Sequence, residues 1–137
     1  SRKMEQYNIL IVEDDFASRK FMLKFLSKFG ECDITVDGME AVDAYLMALD
    51  ADTPYDLVCL DIMMPALDGY QALKAIRDIE QERKIPEDQR AKIIMTTALN
   101  EGANVNKAFD LGCVAYAGKP IDQVKFESVL RKLELID

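Results

Sequence analysis

Short apolar runs alternate along the chain with segments in which apolar residues recur every three or four positions. The runs predict strands at Asn8–Val12, Cys32–Val36, Tyr55–Leu60, Lys92–Thr96 and Cys113–Gly118. Between them, Phe21, Met22, Phe25, Leu26 and Phe29 form one helical stripe and Val42, Tyr45, Leu46 and Leu49 a second. Leu67, Tyr70, Leu73, Ile76 and Ile79 form a third, Val105, Ala108 and Leu111 a weaker fourth, and Phe126, Val129, Leu130 and Leu133 the last. Gly30 and Gly112 stand where the first and fourth helices would close. Strand and helix in alternation predict βα units, with residues 1–7 as a tail and 8–137 as one domain. Right-handed crossovers then place helices on both faces, so the fold class is α/β with a doubly wound, five-stranded parallel sheet and five helices. The polar stretch Glu80–Arg90, which contains Pro86, predicts a solvated loop remote from any chemistry.

Composition narrows this picture. A chain of 137 residues, half of them hydrophobic, can bury one core without disulfides or a structural metal. Its net charge of -8 argues against direct binding of nucleic acid or an anionic membrane. Cys32, Cys59 and Cys113 are odd in number and lie in or beside apolar runs, as reduced, buried thiols do. No stretch combines a basic start with a long apolar core, and none approaches the ~20 apolar residues that span a bilayer, so the expected location is cytoplasmic. Residues 1–3 precede Met4 and read equally as an added or a native tail. Histidine is absent, which removes Ser-His and Cys-His nucleophile pairs, histidine-rich zinc sites and a phosphohistidine in this chain.

In doubly wound sheets ligands sit at the carboxyl ends of the strands, and four clusters fall there. Glu13, Asp14 and Asp15 follow the first strand, Asp61 ends the third, Thr96 and Thr97 end the fourth, and Lys119 and Pro120 follow the fifth. Glu13, Asp14 and Asp61 would converge at adjacent strand ends, where a hard, oxygen-seeking cation such as Mg2+ offsets their repulsion. A lysine and a hydroxyl facing the same carboxylate supply donors for a transferred phosphoryl group. Each residue has a plainer explanation as well: an acidic triplet before a helix caps it, Thr97 bonds backbone, and Lys119 before Pro120 marks a turn. Asp61 resists that treatment, because it ends the apolar run Leu57–Leu60, where an unpaired carboxylate is costly.

The motifs ILIVEDD at 9–15, DLVCLDIMMPALDG at 56–69, IIMTTA at 93–98 and YAGKP at 116–120 resemble the receiver domains of two-component response regulators, the CheY-like family. The resemblance runs from Ile9 to Leu133. It implies a flavodoxin-like fold with strand order 2-1-3-4-5, Asp61 as phosphoacceptor, and Mg2+ held by Asp14 directly, by Glu13 through water, by Asp61 and by the backbone carbonyl of Met63. It also implies Thr97 as the switch hydroxyl, Lys119 as the lysine that grips the phosphoryl group, Tyr116 as the aromatic switch residue, and a cis bond from Lys119 to Pro120. Asp15 matches no site position. The implied function is a phosphorylation-controlled signalling switch, not an enzyme acting on an external substrate. Its partners would be a histidine kinase or histidine phosphotransfer protein upstream, and a protein target or a missing output domain downstream.

Two departures from the family pattern carry expectations. Met63 and Leu99, two beyond the acceptor and two beyond the switch hydroxyl, are often polar in receivers; here both are apolar, which predicts a long-lived phosphoryl group. Val114, Ala115 and Gly118 replace the acidic residues that many transcription-factor receivers use in a dimer face, which argues against that dimer. Among rivals, a haloacid-dehalogenase-type phosphatase needs a second Asp where Met63 stands. A flavodoxin-like flavin binder needs a phosphate cradle where Glu13–Asp15 would repel one. A receiver-like module that only binds partners would lack the need for so complete a site.

Overall fold

The structure is a computed structural model that describes residues 7–64, 66–98 and 104–137. In chain order the elements are β1 (Tyr7–Val12), α1 (Phe16–Leu26), β2 (Gly30–Thr35), α2 (Gly38–Asp50), β3 (Leu57–Asp61) and α3 (Gly69–Glu82), then β4 (Lys92–Ala98), α4 (Val105–Asp110), β5 (Ala115–Lys119) and α5 (Gln123–Lys132). The strands form one parallel sheet in the order β2-β1-β3-β4-β5, the doubly wound, flavodoxin-like arrangement the sequence predicts.

Because strand side chains alternate between faces, one strand feeds two cores. Ile9 and Ile11 of β1 pack with Met22, Phe25 and Leu26 of α1 and with Phe126 and Leu130 of α5. Leu10 and Val12 point the other way, into a cluster with Tyr45 of α2, Leu73 and Ile76 of α3, and Ala108 of α4. Full burial of each large aliphatic side chain stabilises the fold by roughly 2 kcal/mol before entropy is counted. The α1–α5 face is closed by edge-to-face rings, Phe25 against Phe126 with centroids 5.6 Å apart.

Every α-helix begins just beyond the carboxyl end of a strand, on a cap that the sequence supplies. Asp15, Asp37, Asp68, Asn104 and Asp122 each accept the backbone amide three residues on. The positive ends of the helix dipoles therefore gather at one end of the sheet, where anionic groups are favoured.

Some boundaries differ from the periodicity reading. Gly30 does not close the first helix: α1 ends at Leu26, a 3-10 turn covers Ser27–Phe29, and Gly30 opens β2 in extended backbone. A Cβ there would lie 2.2 Å from the Tyr7 carbonyl oxygen, so glycine permits the close approach of β2 to β1. Strand β3 starts at Leu57 instead of Tyr55, because the Asp56 carboxylate takes the Asn8 amide at 2.8 Å before the ladder begins. Strand β5 starts two residues later than the apolar run, at Ala115.

The expected solvated loop Glu80–Arg90 needs a larger correction. Glu80 belongs to α3 and is fully buried. It accepts bonds from the Tyr45 hydroxyl, from Arg77 Nη1 at 2.6 Å and from the Ala91 amide at 3.0 Å. Only the part beyond the helix, around Pro86, is an exposed connection. A carboxylate with three donors reads as polar in sequence but is satisfied in the core. All three cysteines are free thiols; Cys59 and Cys113 are buried as expected, whereas Cys32 is only half-buried because it lies on the edge strand β2. Burial pushes the Cys113 thiol up to about 11.

Candidate functional site

The carboxyl ends of β1, β3 and β5 bring three of the predicted groups into direct contact. Lys119 Nζ lies 2.6 Å from Glu13 Oε1 and 3.1 Å from Asp61 Oδ2, with both carboxylates almost fully buried. Asp14 is exposed beside them, and one carboxylate oxygen from each of Glu13, Asp14 and Asp61 falls within 4.8 Å of the others. That spacing and all-oxygen donor set suit a small hard cation such as Mg2+.

The electrostatics match. The Asp61 carboxyl is pushed up to about 7, first by burial and then by the charge of Glu13, against the opposing pull of Lys119. Burial works against the charge on Lys119, but its hydrogen bond to Glu13 and the charge of Asp61 outweigh this, and its pKa rises. One ammonium thus serves two carboxylates, and the negative charge left over is what a divalent cation would neutralise.

Thr97 is fully buried on β4, and its hydroxyl donates to the Ala98 carbonyl at 3.3 Å. Its register partner is Gly118, and that of Ala98 is Lys119, so hydroxyl and lysine sit on adjoining strand ends. Tyr116 lies opposite Met95, half-buried against the cluster beneath α3 and α4. The Met63 amide donates to Asp61 Oδ1 at 3.3 Å, while its side chain is 54% exposed at the mouth of the site. Leu99 lies outside the described residues. The bond from Lys119 to Pro120 is cis, as the resemblance implies. Of the acidic triplet, Asp15 is the helix cap: its carboxylate takes the Ser18 amide at 2.8 Å, which holds its pKa low. Capping therefore accounts for Asp15 and leaves Glu13 and Asp14 free for other work.

Two supporting residues escaped the sequence reading. Arg19 reaches back from α1, and its Nη1 donates to the carbonyls of Glu13 at 3.3 Å and Asp14 at 3.2 Å, tying down the acidic loop. A basic residue in the second turn of a helix that opens on acids is its only sequence signal. Gly69 opens α3 directly against Asp61: a Cβ there would come within 2.4 Å of the Asp61 carbonyl oxygen. The glycine closes the motif DLVCLDIMMPALDG, but the contact requires the fold.

Comparison with known proteins agrees with this arrangement. Residues 9–131 match the family model described as the response regulator receiver domain. The chain is 34% identical over 122 residues to the chemotaxis protein CheY of Treponema pallidum, covering 87% of this chain and 76% of that one. It is 33% identical to two-component response regulator 24 of Arabidopsis thaliana, covering 90% and 81%. It spans only 56% of the probable transcriptional regulator ycf29 of Porphyra purpurea, at 32% identity over 93% of this chain, and 12% of a probable histidine kinase of rice. Among solved structures, the receiver domain of the Pseudomonas aeruginosa sensor kinase PA1611, with a magnesium ion in its active-site cleft, superposes with TM-score 0.74 at 26% identity, covering 92% of this chain and 95% of that one. The receiver domain of Saccharomyces cerevisiae Ssk1, bound to the histidine phosphotransfer protein Ypd1, gives TM-score 0.78 at 26% identity, covering 96% and 90%. With the fold, the strand-end constellation and the family match in agreement, this chain belongs to the response regulator receiver domain family.

Proposed function

We propose that the domain is a phosphorylation-controlled switch that takes a phosphoryl group onto Asp61 from a histidine kinase or a histidine phosphotransfer protein. The observation that carries this reading is Lys119 held between Glu13 and Asp61, with Asp14 alongside. Mg2+ would be held by Glu13, Asp14, Asp61 and the Met63 carbonyl, and would neutralise charge on the transferring phosphoryl oxygens. An Asp61 carboxylate oxygen attacks phosphorus as the donor's P–N bond breaks, and the electron pair of that bond returns to the imidazole nitrogen. Lys119 remains beside the new acyl phosphate to pair one of its oxygens. Thr97 exchanges its bond to the Ala98 carbonyl for one to the phosphoryl group, and Tyr116 follows into the space left behind, biasing the α4–β5–α5 surface toward a partner-bound state. Exposed apolar side chains near the carboxyl ends of β1, β3 and β5, Phe16 at 67% and Val124 at 76% among them, support docking of a protein donor there.

Incubation with acetyl phosphate tests the reading. Mg2+-dependent, acid-stable but hydroxylamine-labile label is expected in the wild type and absent from Asp61→Asn. Label that persists in Asp61→Asn, or that forms equally well in chelator, would overturn it. The apolar pair Met63 and Leu99 supports slow self-dephosphorylation, since neither side chain can orient an attacking water. Replacing them together, Met63→Asn with Leu99→Glu, is expected to shorten the phosphoryl lifetime about tenfold. An unchanged or longer lifetime counts against that account.

A further inference from the structure

The edge of the sheet farthest from β5 carries a surface that phosphoryl transfer does not use. Strand β2 pairs with β1 along its whole length, from Tyr7 opposite Gly30 to Val12 opposite Thr35, and with no other strand among the described residues. Its outer row of backbone amides and carbonyls is therefore an open edge. β2 contains no proline, no lysine and no bulge, and its charged side chains, Glu31 and Asp33, are both acidic. A groove between this edge and α2 is lined by Glu31 and Asp33 on the strand and by Ala44, Met47 and Ala51 on the helix. Two of the residues that line it are exposed and apolar, Ile34 at 38% and Met47 at 71%.

Charge decides what fits. From Phe29 through Leu73 the chain contains no lysine or arginine, while Glu31, Asp33, Glu40 and Asp43 all lie on β2 or α2. Arg83, reaching Asp50 at 2.8 Å, is the one basic side chain paired with an α2 carboxylate among the described residues. A second copy of this chain pairing edge to edge would set Glu31 and Asp33 against acids of the same sign, and an anionic lipid surface or nucleic acid would meet the same repulsion.

We propose that β2 and α2 form a docking site for an extended segment of a partner protein that alternates apolar and basic residues. It would add to the sheet as a sixth strand. Backbone bonds to the β2 edge give it affinity, Met47 and Ala44 receive its apolar side chains, and Glu31, Asp33 and Asp43 pair its lysines or arginines. The site is separate from Asp61 and does not depend on its phosphorylation.

The test uses the full chain and a short, capped peptide of alternating valine and lysine. Amide exchange across residues 30–35 is expected to slow roughly tenfold at saturating peptide. N-methylating the peptide's backbone on one edge, which keeps its charge and side chains, is expected to abolish that protection. The double variant Glu31→Lys with Asp43→Lys is expected to weaken peptide binding by about tenfold or more. The charge-matched pair Glu87→Lys with Asp110→Lys, elsewhere on the surface, serves as the control. Equal weakening in both variants means diffuse attraction to an acidic protein and overturns the proposal. So does binding without protection of residues 30–35, or sedimentation showing that those amides are masked by self-association.

Discussion

At the scale of single residues, the chain places buried carboxylates in two different conditions. Asp61 has one cationic neighbour that it shares with Glu13, and burial with the charge of Glu13 pushes its carboxyl up to about 7. Glu80 accepts from the Tyr45 hydroxyl, the Ala91 amide and Arg77 Nη1, while Arg77 Nε also donates to the Gly112 carbonyl at 3.0 Å. The first arrangement stores an unmet demand and suits a reacting group; the second is satisfied and suits a structural one. Glu80→Ala would strand Arg77, whose side chain is only 17% exposed, and leave the Tyr45 hydroxyl and Ala91 amide without an acceptor. The expected loss is about 3 kcal/mol of unfolding free energy, within the range for breaking a buried pair from one side. Glu80→Gln, which keeps one acceptor and the shape, is expected to lose less. Urea titrations of the two variants read the difference, and equal losses would show that the charge paired with Arg77, not the retained shape and acceptor, carries the stability.

Between elements, the connection from Asp61 to α4 runs through the first turn of α3. Gly69 packs on the backbone of Asp61, and the next residue, Tyr70, accepts the Asn104 amide on its hydroxyl at 2.7 Å, while Lys107 lies 4.6 Å over its ring. Asn104 is the cap of α4. Tyr70→Phe keeps the ring and removes the hydroxyl, so amide exchange at residues 104–108 is expected to speed up severalfold, with α3 itself unchanged. Unaltered exchange in α4 would mean that its cap alone holds the turn. None of this contact was legible in the sequence, where Tyr70 reads as one member of an apolar stripe. The elements themselves were legible, because alternation in the strands and three-to-four spacing in the helices are set by burial on one or both sides. Their ends were less so: Gly30 resembles a helix stop but serves a close strand contact, and Glu80 resembles the start of a loop but is buried, with partners on α2 and at Ala91 just before β4. For the site, residue types and strand-end positions named Glu13, Asp14, Asp61, Thr97 and Lys119, whereas Arg19 acts through backbone carbonyls and leaves almost no trace in a motif.

For the molecule as a whole, the core on the α2–α3 face of the sheet ties stability to the state of two buried tyrosines, Tyr45 and Tyr55. Burial, reinforced by the hydrogen bond to Glu80, pushes the Tyr45 hydroxyl well above its ordinary pKa; burial and the bond to Asp33 do the same to Tyr55. Below pH 10 both rings are protonated whether the chain is folded or not, so they favour neither state. Above pH 10 the unfolded chain loses these protons while the folded chain retains them, and stability falls with rising pH by about 1.4 kcal/mol per unit for each tyrosine. Tyr55→Phe should therefore behave differently on the two sides of pH 10. At pH 8 it loses the 2.6 Å bond to Asp33, an exposed carboxylate that water can satisfy, and the cost is expected to be under about 1 kcal/mol. At pH 11 the wild type has already lost that much or more by ionisation on unfolding, and the variant is expected to equal or exceed it in stability. Urea midpoints at the two values decide the matter. A variant that stays less stable than wild type by the same margin at pH 11 would show that Tyr55 ionises as readily in the folded chain as in the unfolded one.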